Sequence, residues 1–149
     1  MASARVAALR LLTRRDYTAA ELRDKLIARE IAPEEIDEAI ASLTADRLID
    51  DRRTAAAHVR LASGVKQRGR LRIERELQRR GVDRALIREV LSDLPPEDEA
   101  ASIAAFLDRR RIPVQLSADA HRRVFQQLLR RGFAADAIAK ALRERHRTG

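Results

Sequence analysis

The chain has 149 residues, 45% hydrophobic and 36% charged, with a formal net charge of +8. It has no cysteine, which excludes disulfides, thiol catalysis and Cys-ligated zinc and fits a reducing compartment. No apolar run approaches the ~18 residues of a membrane span, and Arg10, Arg14 and Arg15 interrupt the beginning of the chain, so a cytoplasmic protein with no signal peptide and no membrane partner is expected.

Aromatic residues are only 3% of the chain, and Ala, Leu, Arg and Glu, all good helix formers, dominate it. This composition suits thin helical units better than one large core. Residues 4–14 read as a helix with Val6, Leu9 and Leu12 at helical spacing. After a turn at Asp16 and Tyr17, Thr18-Ala19-Ala20-Glu21 forms a capping box. It opens a second helix that carries Leu22, Leu26 and Ile27 and ends near Glu30. Pro33 fits the first position of a third helix, whose early Glu34, Glu35, Asp37 and Glu38 suit its dipole. Ile36, Ile40 and Leu43 form its core face.

Asp50 then caps a fourth helix, with Asp51 in its first turn and Ala55, Val59 and Ala62 inward, running to about Ser63. Residues 64–69 break the pattern and carry Lys66 and Arg68. A helix over 70–80 follows, closed by Gly81 at a position that takes positive φ. Asp83 caps the next helix, whose apolar face is Leu86, Ile87, Val90 and Leu91. Pro95-Pro96 reads as a linker, and Glu97, Asp98 and Glu99 open a helix with Ile103, Phe106 and Leu107 inward. Pro113 ends it. Ser117 or Asp119 caps the next helix, Gly132 closes it, and a helix over 135–145 completes the chain, with 146–149 frayed.

One stretch recurs at a period of 51 residues: 21–31, 72–82 and 123–133 align, Ile36, Ile87 and Ile138 match, and so do Ile40, Leu91 and Leu142. A fixed period of this size marks a repeated supersecondary unit. With no strand pattern of useful length, the expected fold is all-α: an elongated array of three tandem three-helix repeats over 1–49, 50–94 and 97–149.

Catalytic constellations are missing from the sequence. Asp50 and Asp51 are adjacent on a helix, so their side chains diverge by about 100° and serve as cap and first-turn acid. His58, His121 and His146 are scattered, and residues 64–69 lack the ending of a phosphate-binding loop. No metal or cofactor is expected. Charge is the remaining signal. Residues 1–50 carry 8 basic and 10 acidic groups, 51–96 carry 12 and 6, and 97–149 carry 11 and 7. Arg72, Arg75 and Arg79 share one helix face opposite Ile73 and Leu77, extended by Arg68. The third copy keeps Arg123 and Arg130, whereas the first has Glu21 and Ala28 there. Such a stripe fits a polyanion or an acidic protein surface. Arg29, Arg80 and Arg131 recur in all copies at a helix C-terminus, where the dipole favours a cation, and are read as structural.

The run Leu48-Ile49-Asp50-Asp51-Arg52-Arg53-Thr54-Ala55, followed by Gly69, Ile73, Glu76-Leu77 and Gly81-Val82, resembles the RecX family of bacterial regulators of the RecA recombinase. Arg130-Arg131-Gly132-Phe133 with Ile138 extends the resemblance over nearly the whole chain. Two positions depart from the pattern: Thr54 stands at an aromatic position, and Glu30 stands where the later copies have Gly81 and Gly132. The resemblance implies a protein without enzymatic activity that binds RecA, mainly as its filament on single-stranded DNA. It would lie in the filament groove and limit filament growth, ATP hydrolysis and strand exchange, and so affect recombination, DNA repair and the SOS response. Some members also bind DNA directly. On this reading a monomer is expected, and the candidate contact residues are Arg52, Arg53, Lys66, Arg68, Arg72, Arg75, Arg79, Arg123 and Arg130. The alternative is a general DNA-binding protein built from helix-turn-helix-like units.

Overall fold

The structure, a computed structural model, describes residues 3–149, and of Pro96 the backbone alone; residues 1 and 2, the start of the expected first repeat, lie outside the described residues. The described residues form nine α-helices and no strand. These are α1 Ala4–Leu12, α2 Ala19–Ile27, α3 Pro33–Ala45, α4 Asp51–Arg60, α5 Arg70–Arg79, α6 Arg84–Ser92, α7 Pro96–Arg109, α8 Ala118–Arg130 and α9 Ala135–Thr148. They form three successive triplets, each with its own apolar core. The fold is an all-helical repeat array.

Local chemistry sets most helix starts. Thr18 accepts from the Glu21 amide while Glu21 reaches back to the Thr18 amide, which completes the capping box of α2. Asp50, Asp83 and Ser117 cap α4, α6 and α8 through their side chains, so Ser117 is the cap and Asp119 lies in the first turn. Pro33 and Pro96 each occupy a first helical position, where the missing N–H costs nothing. The proline pair is therefore a helix start as much as a linker.

The period of 51 residues reappears as a shared way of ending the second helix of each triplet. The amides of Ile31, Val82 and Phe133 bond the carbonyls of Leu26, Leu77 and Leu128 at 3.4, 3.1 and 3.2 Å. The residue before each of these amides turns left-handed: Glu30 at φ 60°, Gly81 at 79° and Gly132 at 93°. The first copy holds this turn without a glycine.

Several boundaries and faces differ from the sequence expectation. On α1 the buried residues are Ala4, Ala7, Ala8 and Leu11, whereas Val6 is 41% exposed and Leu9 and Leu12 are partly buried. Small alanines let α1 approach its neighbours closely, and a pattern search keyed to large residues picks the adjacent face. Ile27 is 55% exposed, leaving Leu22 and Leu26 inward. The first helix of the second triplet does not break at Gly64. It widens into a π-helical turn, Leu61–Val65, closed by the Lys66 amide on the Leu61 carbonyl at 3.1 Å. The turn that leaves it is at Gln67, with φ 50°. Helix α7 ends at Arg109, before Pro113, because Arg111 turns left-handed and the Ile112 amide bonds the Leu107 carbonyl. Helix α9 continues to Thr148, past the expected fraying point.

Candidate functional site

The three cores are separate, so polar joints connect the triplets. Both joints follow one plan. At the first, the Ala19 amide at the start of α2 donates to Asp51 Oδ1 in the first turn of α4, at 2.9 Å. The Thr18 hydroxyl donates to the Arg80 carbonyl at the end of α5, at 2.6 Å. At the second, the Arg70 amide at the start of α5 donates to Glu99 Oε1 in the first turn of α7, at 3.2 Å. The Gly69 amide donates to the Arg131 carbonyl at the end of α8, at 2.8 Å, and the Leu71 amide to Gly132 at 3.0 Å. A carboxylate from one triplet thus caps a helix of the preceding one, where the dipole favours it.

The glycines of the sequence motif belong to these joints. A Cβ on Gly81 would run into Ala20, and a Cβ on Gly69 would run into the Gly132 backbone. Ala55 and Leu77 are fully buried in the second core. Asp50 caps α4 through the Arg53 amide at 3.1 Å. Of the family motif residues, Asp51, Gly69 and Gly81 therefore hold triplets together, and Asp50, Ala55 and Leu77 build the scaffold.

The joints differ in charge. At the first, Arg80 donates through Nε and Nη2 to Glu21 Oε1 at 3.1 and 3.0 Å. Burial works against the Glu21 charge, but the Thr18 amide, Arg80 and Arg15 outweigh it and hold the carboxyl below its ordinary value. One period later the same two positions are Arg72 and Arg131. Among the described residues no carboxylate replaces Glu21. Instead an open cleft of about 600 Å³ lies between the second and third triplets, and six of its eight lining residues are Lys66, Arg68, Arg72, Arg110, Arg130 and Arg131. Arg110 and Arg131 place their guanidiniums 5.0 and 4.9 Å from the centroid of the Phe106 ring, which is 2% exposed. Desolvation, then the charges of Arg110, Arg72, Arg109 and Arg68, push the pKa of the Arg131 guanidinium below its ordinary value.

The residues expected from sequence divide into groups. Lys66, Arg68, Arg72 and Arg130 meet in the cleft. Arg68 is partly neutralised there by Glu76, to which it donates. Arg75 and Arg79 lie exposed further along α5, with Arg75 Nε on the Leu71 carbonyl at 3.3 Å, and Arg123 is exposed on α8. Arg52 is paired with Glu89. Arg53 donates to the carbonyls of Arg47 and Leu48 at 3.1 and 3.5 Å, which ties it to the end of α3. Arg131 and Arg110 were not among the expected contact residues. Reading position 21 against 72 and 80 against 131 across the repeat would have exposed the missing carboxylate. Nothing in the sequence marks Arg110, which lies outside the repeated register.

Beside the cleft, His58 lies 3.7 Å from Glu76, and its Nε2 has no hydrogen-bond partner among the described residues. Burial lowers its pKa; Glu76 opposes that, and Arg80 and Arg68 reinforce it. Among the described residues no group of His, Asp and Glu is placed to hold a metal ion, and no helix is long and apolar enough to cross a membrane.

A family model described as RecX, first three-helix domain, matches residues 4–43, and one for the RecX second three-helix domain matches residues 50–91. The regulatory protein RecX of Trichlorobacter lovleyi is 39% identical over 140 residues, covering 89% of each chain. That of Halorhodospira halophila is 39% identical over 140 residues, covering 92% of this chain and 84% of its own. The crystal structure of RecX from Lactobacillus salivarius superposes with a TM-score of 0.86 over 95% of this chain and 93% of its own, at 24% identity, a likeness of fold. With its repeat array, its two matched three-helix domains and relatives of this identity along nearly its full length, the chain belongs to the RecX family of regulatory proteins.

Proposed function

We propose that this protein regulates RecA by binding it, chiefly as the filament on single-stranded DNA, and that it acts without a catalytic step. On this reading it works in the cytoplasm as a monomer, lies lengthwise in the filament groove and spans neighbouring subunits. It thereby limits filament growth, ATP hydrolysis and strand exchange, with consequences for recombination, repair and the SOS response. The three repeats, 1–49, 50–94 and 97–149, are the spanning units. The observation that carries the reading is the cationic cleft between the second and third triplets, set in a member of a regulatory family. Its guanidiniums suit carboxylates and phosphates alike. Exposed Arg75, Arg79 and Arg123 widen the basic surface on either side. The test is RecA ATPase and strand exchange on single-stranded DNA. Inhibition at substoichiometric to near-stoichiometric amounts is expected, and unchanged activity in excess protein contradicts the reading.

The same cleft favours a second reading, direct DNA binding without RecA. Salt separates the two. Binding through phosphates loses affinity steeply between low and moderate salt. Tight, salt-sensitive binding of free DNA, with RecA unaffected, decides for the second.

A further inference from the structure

The two joints share a carboxylate on a helix start and a bond to a helix-end carbonyl, but not side-chain charge. Where the first places the Glu21 carboxylate on Arg80, the second sets Arg72 opposite Arg131, with Arg68, Arg110, Arg130 and Lys66 around them. The second joint is therefore built like the first with its anion left out. We propose that the cleft between the second and third triplets binds a phosphate oxyanion group in the place of that carboxylate, and that its occupancy clamps the two triplets together.

Three observations carry this. The cleft groups come from both sides of the joint, Lys66, Arg68 and Arg72 from the second triplet and Arg110, Arg130 and Arg131 from the third, so one anion between them draws the triplets together. Arg131 is already oriented, by a bond to the Lys66 carbonyl at 3.2 Å and by the Phe106 ring. Arg131, with Arg110 on the same ring, thus presents an oriented forked donor, which suits bidentate oxyanion contacts. Among the described residues one carboxylate pairs with these cations, Glu76 on Arg68, which leaves a large positive excess. One further carboxylate would not offset it. A chain of phosphates carries several negative charges in a small volume and does. The shared chemistry is a run of phosphate groups, supplied by a free oligophosphate or by the phosphodiester backbone of a nucleic-acid strand. This inference rests on the cleft being the working surface proposed above, yet it can fail while regulation of RecA stands.

The experiment uses the full chain and reads its thermal unfolding midpoint in sodium tripolyphosphate, in a short oligothymidylate at equal phosphate concentration, and in sodium chloride at matched ionic strength. The key variant is Arg72→Glu, which transplants the first joint's carboxylate into the second. Wild type is expected to gain several degrees with phosphate over the chloride control. Arg72→Glu is expected to unfold at a higher temperature than wild type in plain buffer and to bind phosphate on the order of tenfold more weakly. A shift with tripolyphosphate alone assigns the site to free oligophosphate. A shift with the oligonucleotide alone assigns it to a phosphodiester chain. No shift with either, or an Arg72→Glu response equal to wild type, overturns the proposal. Arg72→Gln keeps the test valid if Arg72→Glu misfolds, since loss of the phosphate shift is expected there too. RecA inhibition by wild type, measured in parallel, separates failure of this inference from failure of the regulatory reading.

Discussion

Thr54 is 3% exposed, and its hydroxyl has no hydrogen-bond partner among the described residues. An unpaired buried hydroxyl costs about 1–3 kcal/mol, and valine has nearly the same shape. Thr54→Val is expected to stabilise the chain by about 1 kcal/mol in urea unfolding, and a loss of stability would mean that the hydroxyl is satisfied. Glu30 carries a different strain. It repeats the left-handed turn of Gly81 and Gly132 with a side chain, at φ 60°. Such a conformation costs a non-glycine residue about 1–2 kcal/mol, so Glu30→Gly is expected to be neutral or stabilising by about 1 kcal/mol. The reverse change is severe. At Gly132, φ is 93° and an added Cβ would strike the Arg72 backbone, so Gly132→Ala is expected to destabilise by about 2–4 kcal/mol. Equal effects of these two glycine changes in denaturant titrations would contradict this account of the turn.

At the scale of elements, stability between triplets depends on helix ends. Glu21 serves α2 as a capping residue and Arg80 as an ion-pair partner, with both side chains mostly shielded. Its carboxyl is held below the ordinary 4.5, so the folded state loses its proton before the unfolded state does. The resulting stabilisation is fully present above the unfolded value and is lost as pH falls through the lowered folded one. Glu21→Gln is expected to cost about 1.5–3 kcal/mol near neutrality, a difference that shrinks as both proteins are taken into acid below pH 4.5. A difference independent of pH would assign the effect to packing. The helix order and second-helix closures were legible in the sequence because they rest on local rules: caps, prolines and a periodic Leu-to-amide turn. The alanine face of α1 was not, since small residues give a weak apolar signal. The π-helical turn at Leu61–Val65 was hidden for another reason. Helical bonding continues through Gly64, and the break comes only at Gln67.

For the whole molecule, the informative property is a broken symmetry. The stripe on α5 was visible by spacing, and Lys66, Arg68, Arg72 and Arg130 do meet. Their meeting point lies between repeats, a relation that spacing along one helix cannot express. Arg131 belongs to it through tertiary placement, as Arg80 belongs to the first joint. Two of the other candidate cations are already engaged, Arg52 by Glu89 and Arg53 by helix-end carbonyls. The central claim is that the cleft between the second and third triplets acts on RecA. Its most direct test is the single-stranded-DNA-dependent ATPase of RecA, titrated with wild type, with Arg72→Gln/Arg130→Gln, and with Arg52→Gln as a surface control. Wild type and Arg52→Gln are predicted to inhibit alike, and the double variant to need on the order of tenfold more protein, the loss expected when charge-assisted contacts are removed. Full inhibition by a folded double variant at wild-type concentrations would contradict the account.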